Sequence, residues 1–174
     1  MNKDSARHSL FLLFSLSLVF FWINNKNLAN FSLQLTAGLV IFLVITHKIF
    51  EVKSFLLTES LVSTICVALI TTATGGLSSP FFFLNHFLLF ELSLLLAPSI
   101  SIVLTLSLMI FYLFSNQVGP SFNNLVILLS FLFITPMAFL TGKIYQKVKN
   151  QRKEIKYLSR KVENLEYEIN GASI

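Results

Sequence analysis

Four polar side chains in a strongly apolar sequence have the chemistry to bind or react: Glu59, Asn85, His86 and Glu91. Ionisable groups inside a membrane span usually face a bundle interior and are functional candidates by default. Asn85 and His86 precede Glu91 by six and five positions, whereas residues sharing a helix face are three or four apart. The sequence therefore predicts no proton relay. The alternatives to a functional role are purely structural: a helix-end position for Glu59, structural hydrogen bonding for Glu91 and a membrane-interface position for His86.

Other catalytic signatures are missing from the sequence. The histidines are His8, His47 and His86, so the C-terminal tail has no phospho-accepting histidine, and no phosphate-binding glycine motif is present. One cysteine, Cys66, excludes a disulfide framework and a cysteine-built metal site, and we expect it to be a small buried residue. We predict no catalytic residue, no metal site and no enzymatic activity for this chain.

Composition points to a membrane protein. Of 174 residues, 55% are hydrophobic and only 12% are charged, with a mean hydropathy of +0.76. A soluble domain carries about 25% charged residues. This composition disfavours a soluble globular fold and excludes an intrinsically disordered chain.

The charges divide the chain into an apolar body and a charged tail. Ser9 to Gly142 holds six charged residues, whereas Lys143 to Ile169 holds twelve in 27 residues. A span needs roughly 20 apolar residues, and the body contains six such runs. We predict an all-α polytopic membrane protein with six transmembrane helices, followed by a cytoplasmic parallel coiled coil. The predicted parts are an N-terminus (1–8), a membrane domain (9–145), a coiled coil (146–170) and a tail (171–174). The runs are Ser9–Ile23, Leu28–Thr46, Phe55–Thr74, Phe81–Ala97, Ile100–Ser115 and Leu125–Tyr145.

Orientation follows from lysine and arginine. With six spans, twelve of these residues lie on the side of the two termini and one, Lys26, lies on the other. Positive charge marks the cytoplasmic side, so we predict a multi-pass protein of the inner (plasma) membrane with both termini in the cytoplasm. A cleaved signal peptide is the alternative for the first run, although no small-x-small cleavage site follows it.

The tail has a heptad pattern. β-Branched residues at positions a and leucine at positions d favour a parallel two-stranded coil, so we expect a homodimer. Gln151 is a polar residue in this core, which makes the membrane-proximal part the weakest. An amphipathic helix lying on the membrane is the alternative. Acidic residues disfavour it because anionic lipid would repel them. The predicted dimerisation residues are Val148, Ile155, Leu158, Val162, Leu165 and Ile169.

The loop Thr74 to Phe81 reads TGGLSSPF. Two adjacent glycines can adopt positive φ and close one helix, while Ser79 can cap the next helix with Pro80 at its first position. That account leaves an exposed aromatic cluster at residues 81–83, which could form a shallow site for a flat apolar ligand. The predicted ligand-binding residues are Gly75, Gly76, Pro80 and Phe81.

Six spans, this loop between the third and fourth, and a cytoplasmic coil together resemble the membrane input domain of bacterial sensor histidine kinases. The redox-responsive group has a Gly-Gly-x-x-Asn-Pro-Phe loop at this place. Gly75, Gly76, Pro80 and Phe81 match it, and Ser79 departs from it. The resemblance implies a sensor in signal transduction with quinone as a ligand. Because this sequence has no kinase core, we expect either a truncated or split kinase or a sensor module whose partner is a separate kinase or response protein. A membrane-tethered coiled-coil scaffold and a small transporter subunit are the alternatives, and no nucleic-acid partner is expected.

Overall fold

The computed structural model describes residues 3–49, 52–115 and 122–171. In these residues the chain is helical without any strand, as the sequence predicted. A short 3-10 helix, Gly76–Ser78, lies between α4 and α5. The α-helices are α1 (Lys3–Asn24), α2 (Lys26–Ala29), α3 (Ser32–Ile49), α4 (Val52–Ala73), α5 (Phe83–Leu95), α6 (Pro98–Phe114) and α7 (Phe122–Gly171).

Six apolar helices follow the order of the six predicted runs, but they differ in length. Three of the described helices are long and apolar enough to cross a membrane, over Ala6–Asn24, Leu56–Ala73 and Phe122–Glu166. The other apolar helices are shorter. At about 1.5 Å per residue, the 13 residues of α5 extend about 20 Å, against a hydrocarbon core of about 30 Å.

Two helices, α4 and α6, organise the packing. α4 contacts α1, α3 and α5, while α6 contacts α1, α5 and α7. The core between them is built largely from leucine, with aromatic residues near one end. Its most completely buried side chains include Val19, Leu69, Leu89, Leu92, Ile100, Leu104, Leu108, Tyr112 and Phe131.

Side-chain contacts define two ends of the bundle. His86 contacts Ser130 and Ser93 contacts Ala138, so α5 and α7 run in the same direction. The hairpin end comprises the Asn25–Phe31 turn, the Thr74–Phe82 loop and the start of α7, where the Ser78 hydroxyl donates to Asn124. The rod end comprises the turn at residues 96–97 and Gly142. Beyond it, residues 143–171 of α7 form the rod.

α7 is a single helix of 50 residues. The predicted boundary between span and coil at residues 145 and 146 is therefore not a break, and Pro136 lies inside the helix without ending it. Lysine, glutamine, arginine and glutamate favour helix, so the charged sequence after Gly142 continues it. Gly171, predicted to begin the tail, is still helical, and 172–174 lie outside the described residues.

Candidate functional site

The double-glycine loop forms a compact turn at the hairpin end. Gly75 and Gly76 have φ values of +123° and +60°. An L side chain at Gly75 would be strained, because that backbone region suits glycine alone. Across the turn, the hydroxyls of Thr74 and Ser79 are hydrogen bonded at 2.5 Å. The loop is therefore tied to the end of α4 by side chains as well as by its backbone.

The start of α5 differs from the prediction. The helix begins at Phe83, so Pro80 does not occupy its first position. The Ser79 hydroxyl accepts from the Phe81 N–H at 3.1 Å, and the Ser79 carbonyl accepts from the Phe82 N–H at 3.1 Å. These short-range bonds make a tight turn that satisfies the N–H groups before the α-helix starts.

The three phenylalanines after Pro80 separate into two groups. Phe81 and Phe83 are 44% and 48% exposed, whereas Phe82 is 7% exposed. The expected exposed cluster of three is therefore wrong, because the turn directs Phe82 into the core. Its ring centroid lies 5.4 Å from that of Phe131 in α7 and 5.6 Å from that of Tyr112 in α6. Phe82 thus joins the loop to two other helices.

A polar node lies beneath the loop, formed by Thr71, Asn85 and Tyr112. Asn85 is fully buried, and its Nδ2 donates to the Phe82 carbonyl at 3.1 Å and to Thr71 Oγ1 at 3.4 Å. Tyr112 is fully buried, and its hydroxyl lies close enough to the side chains of Thr71 and Asn85 to interact with both. Neither this hydroxyl nor the Asn85 Oδ1 completes a hydrogen bond of standard geometry among the described residues. The node therefore brings polar groups of α4, α5 and α6 together inside the apolar core.

The sequence identified only one member of this node. Asn85 stood out as a polar residue in an apolar run. Thr71 and Tyr112 did not, because a threonine or tyrosine near the end of an apolar helix is ordinary. Their role depends on which helices meet, and no spacing within one helix could have revealed it.

His86 contacts α7. Its Nε2 lies 3.0 Å from Ser130 Oγ, and its ring centroid lies 5.2 Å from that of Phe131. The sequence favoured a membrane-interface position for this side chain. In the structure it is half-buried in the same aromatic group as Phe82, at 5.5 Å between ring centroids.

Glu59 and Glu91 lie on facing helices. Ser63 donates to Glu91 Oε1 at 3.4 Å, and Glu59 is close enough for the two charges to interact. Both side chains are half-buried. Asn85, His86 and Glu91 thus have three separate sets of partners, and the four polar residues do not converge on one site.

A close contact joins α5 to α7 at the rod end. Ser93 Oγ donates to the Ala138 carbonyl at 2.7 Å. A Cβ built on Gly142 would lie 2.7 Å from the Ser93 carbonyl oxygen, closer than such atoms can approach. Small residues four apart allow two backbones to come together in this way. We refer to Ser93, Ala138 and Gly142 as the rod-end contact.

The apolar residues of the rod are exposed. All side chains described from 147 to 166 are exposed. Ile169 lies in α7, but its side chain is outside those described. The other five predicted dimerisation residues are 40–66% exposed: Val148, Ile155, Leu158, Val162 and Leu165.

A cavity of about 280 Å³, which no sequence pattern predicted, opens between α1 and α6. Ser17 and Ser107 donate to carbonyls of their own helices, so the polar groups in its wall are already paired. None of the predicted ligand-binding residues lines it. The lining residues are Leu13, Leu16, Ser17, Phe20, Ser107, Ile110, Phe111 and Phe114.

Three features of the structure are therefore candidates for function: the loop with its polar node, the rod-end contact and the exposed rod. The first two both involve helices packed on α7, and the third belongs to α7 itself.

Comparison of the chain with known protein families, characterised proteins and solved structures gives no match.

Proposed function

We propose that this chain is a dimeric membrane signal-input module that transmits a change at the hairpin end to a cytoplasmic coiled coil. The observation that carries the proposal is the continuity of α7. This one helix contacts the loop through Phe82, contacts α5 through Gly142, and then continues as the rod. A displacement of α7 at the loop can be transmitted to the rod along this helix, because no break separates them.

The proposed topology has six spans, with both termini in the cytoplasm and the hairpin end outside. Three long apolar helices and the distribution of lysine and arginine support it. The short α5 is preceded by the loop, whose Gly76, Leu77 and Ser79 are buried. Non-helical backbone is tolerated at membrane depth where protein covers it. The proposed fourth span therefore consists of α5 and the buried part of the turn before it, while the exposed Gly75, Ser78 and Pro80 would lie at the membrane surface.

The proposed output is a parallel homodimer of rods. In water, an exposed row of apolar side chains is stabilised by burial against a partner. A helix lying on the membrane surface would have to turn where α7 leaves the bundle. α7 instead continues through residues 142–148 as an unbroken α-helix. A separate kinase or response protein would read the coil, and the chain itself would have no catalytic role.

The proposed input is an apolar ligand in the outer leaflet, and the resemblance to redox-responsive kinases makes quinone the candidate. It would lie against Gly75, Gly76, Pro80 and Phe81, of which Gly76 is buried and the other three are exposed. Phe82 follows them directly and packs on Phe131 of α7. Binding beside Phe81 would therefore move a residue that already touches the output helix.

The test compares two neighbouring phenylalanines. In a Cys66→Ala background, Leu158→Cys reports rod pairing by disulfide formation in native membranes. Phe82→Leu changes the contact with Phe131, whereas Phe83→Leu changes an exposed ring that packs on Phe87 within α5. We expect Phe82→Leu to alter the rate of disulfide formation in the rod and Phe83→Leu to leave it unchanged. Equal rates in both variants would favour a membrane-tethered scaffold, in which the bundle only anchors the coil.

A further inference from the structure

The part of α7 within the bundle has two opposite faces. One face is buried against α5 and α6, and we refer to it as the bundle-side row. Its residues are spaced three and four apart: Leu128, Phe131, Thr135, Ala138 and Gly142. The other face contains apolar residues that are 40–79% exposed, and we refer to it as the lipid-side row. Its members are Val126, Leu129, Phe133, Met137, Leu140 and Ile144.

The two rows lie about half a turn apart. Each of Phe131, Ala138 and Gly142 follows or precedes a lipid-side residue by two positions, which corresponds to a rotation of about 200°. The lipid-side row therefore points directly away from the bundle. Exposed apolar residues in lipid need no partner by themselves, so exposure alone says nothing about what covers this row.

The spacing of residues along α7 relates the lipid-side row to the core of the predicted coil. The lipid-side row repeats every 11 residues, from Val126 to Met137 and from Phe133 to Ile144. The next steps of 11, from Met137, Leu140 and Ile144, reach residues 148, 151 and 155, which are the first core positions of the predicted coil. The lipid-side row and the coil core are thus one continuous row on one unbroken helix.

Helix geometry then determines how two copies would run. An 11-residue repeat has 3.67 residues per turn, close to the period of a straight helix, whereas a seven-residue repeat produces a left-handed supercoil. Two copies of α7 paired in the rod would therefore supercoil there and run nearly parallel within the bundle. The bundle lies on the opposite face and does not block their approach.

We infer that the dimer interface continues from the coiled coil along the lipid-side row of α7, so that the occupant of this row is a second copy of the chain. The inference deepens the proposed function, because it rests on a parallel rod dimer. The continuous interface from Val126 to Leu165 is about 60 Å long. Gln151 lies where the 11-residue spacing gives way to heptads, so the only polar core position coincides with the change in supercoil.

The test is disulfide cross-linking of the full chain in native membranes at low protein density, in the Cys66→Ala background. Leu140→Cys and Phe133→Cys probe the lipid-side row, and Leu158→Cys probes the rod. Leu132→Cys is the matched control, since Leu132 neighbours Phe133 and is 53% exposed but lies off the row. We expect dimers at 133, 140 and 158 to form several-fold faster than at 132.

Each of the other possible cross-linking results contradicts a particular part of the proposed dimer. Dimers at 158 with positions 133 and 140 no faster than 132 would overturn the inference and leave the coil intact. Dimers at 133 and 140 without any at 158 would support pairing in the membrane and contradict the parallel coil. Equal background rates at all four positions would contradict both.

Discussion

The two halves of α7 differ in composition and in how they make contacts. Near the rod end, the half within the bundle packs through the small and polar residues Thr135, Ala138 and Gly142. From Lys143 onward the residues available for contact are isoleucine, leucine and valine, and they are exposed. In lipid an apolar side chain gains little from burial, so close packing and hydrogen bonds hold helices together. In water the apolar side chains themselves drive association.

The largest expected effect comes from filling the rod-end contact. Gly142→Ala places a Cβ against the Ser93 carbonyl, and overpacking of this kind costs about 1–3 kcal/mol. Gly38→Ala is the matched control, because a Cβ on that helical glycine meets nothing within 4 Å. There the better helix propensity of alanine should stabilise by about 0.5–1 kcal/mol. Thermal unfolding of the purified chain should show a lower Tm for Gly142→Ala only. A lower Tm in both variants would show that the contact is not specific.

The second largest effect is expected from the polar core residue of the rod, Gln151. Gln151→Leu replaces a polar core residue and should stabilise the paired rods by about 1 kcal/mol per protomer. Gln146→Leu is the control, since Gln146 lies on the opposite face of the same helix. Disulfide formation through Leu158→Cys, measured against temperature, should persist to higher temperature with Gln151→Leu alone. Equal persistence in Gln151→Leu and Gln146→Leu would show that residue 151 does not lie in the core of the paired rods.

The smallest effect concerns a hydrogen bond in the bundle half. The hydroxyls of Thr105 and Thr135 are hydrogen bonded between α6 and α7. Thr135→Val retains the shape and removes the bond, which should cost about 1 kcal/mol. Thr141→Val is the control, because the exposed Thr141 donates only to the Met137 carbonyl of its own helix. If chemical denaturation in detergent gives equal stabilities for both variants, polar contacts do not hold α7 in place.

Residue spacing along the sequence was sufficient to predict the helices and their order. Six apolar runs, the punctuation by Gly75 and Gly76 and the heptads after Val148 follow from hydropathy and turn chemistry, and the helices are found in that order. The boundaries were less accurate. α5 is shorter than predicted because the residues after Ser79 form a tight turn. α7 joins the last predicted run and the predicted coil in one helix.

The candidate site was only partly accessible from the sequence. Asn85, His86 and Glu91 were recognised as polar residues in apolar surroundings, and their spacing excluded a shared helix face. Their partners Thr71, Ser130 and Ser63 come from other helices. Hydropathy cannot distinguish a buried Phe82 from an exposed Phe83, because both belong to the same apolar run.

The sequence by itself determined that the chain is helical, that its body is apolar and its tail charged, and that the tail repeats in heptads. These properties depend on residue type and on spacing along one helix. Only the tertiary structure decided that Phe82 joins the core, that Ser93 meets Gly142, and that the bundle covers the face of α7 opposite the coil core. The reason is physical: such contacts depend on the relative rotation and depth of separate helices, which no periodicity within a single helix encodes.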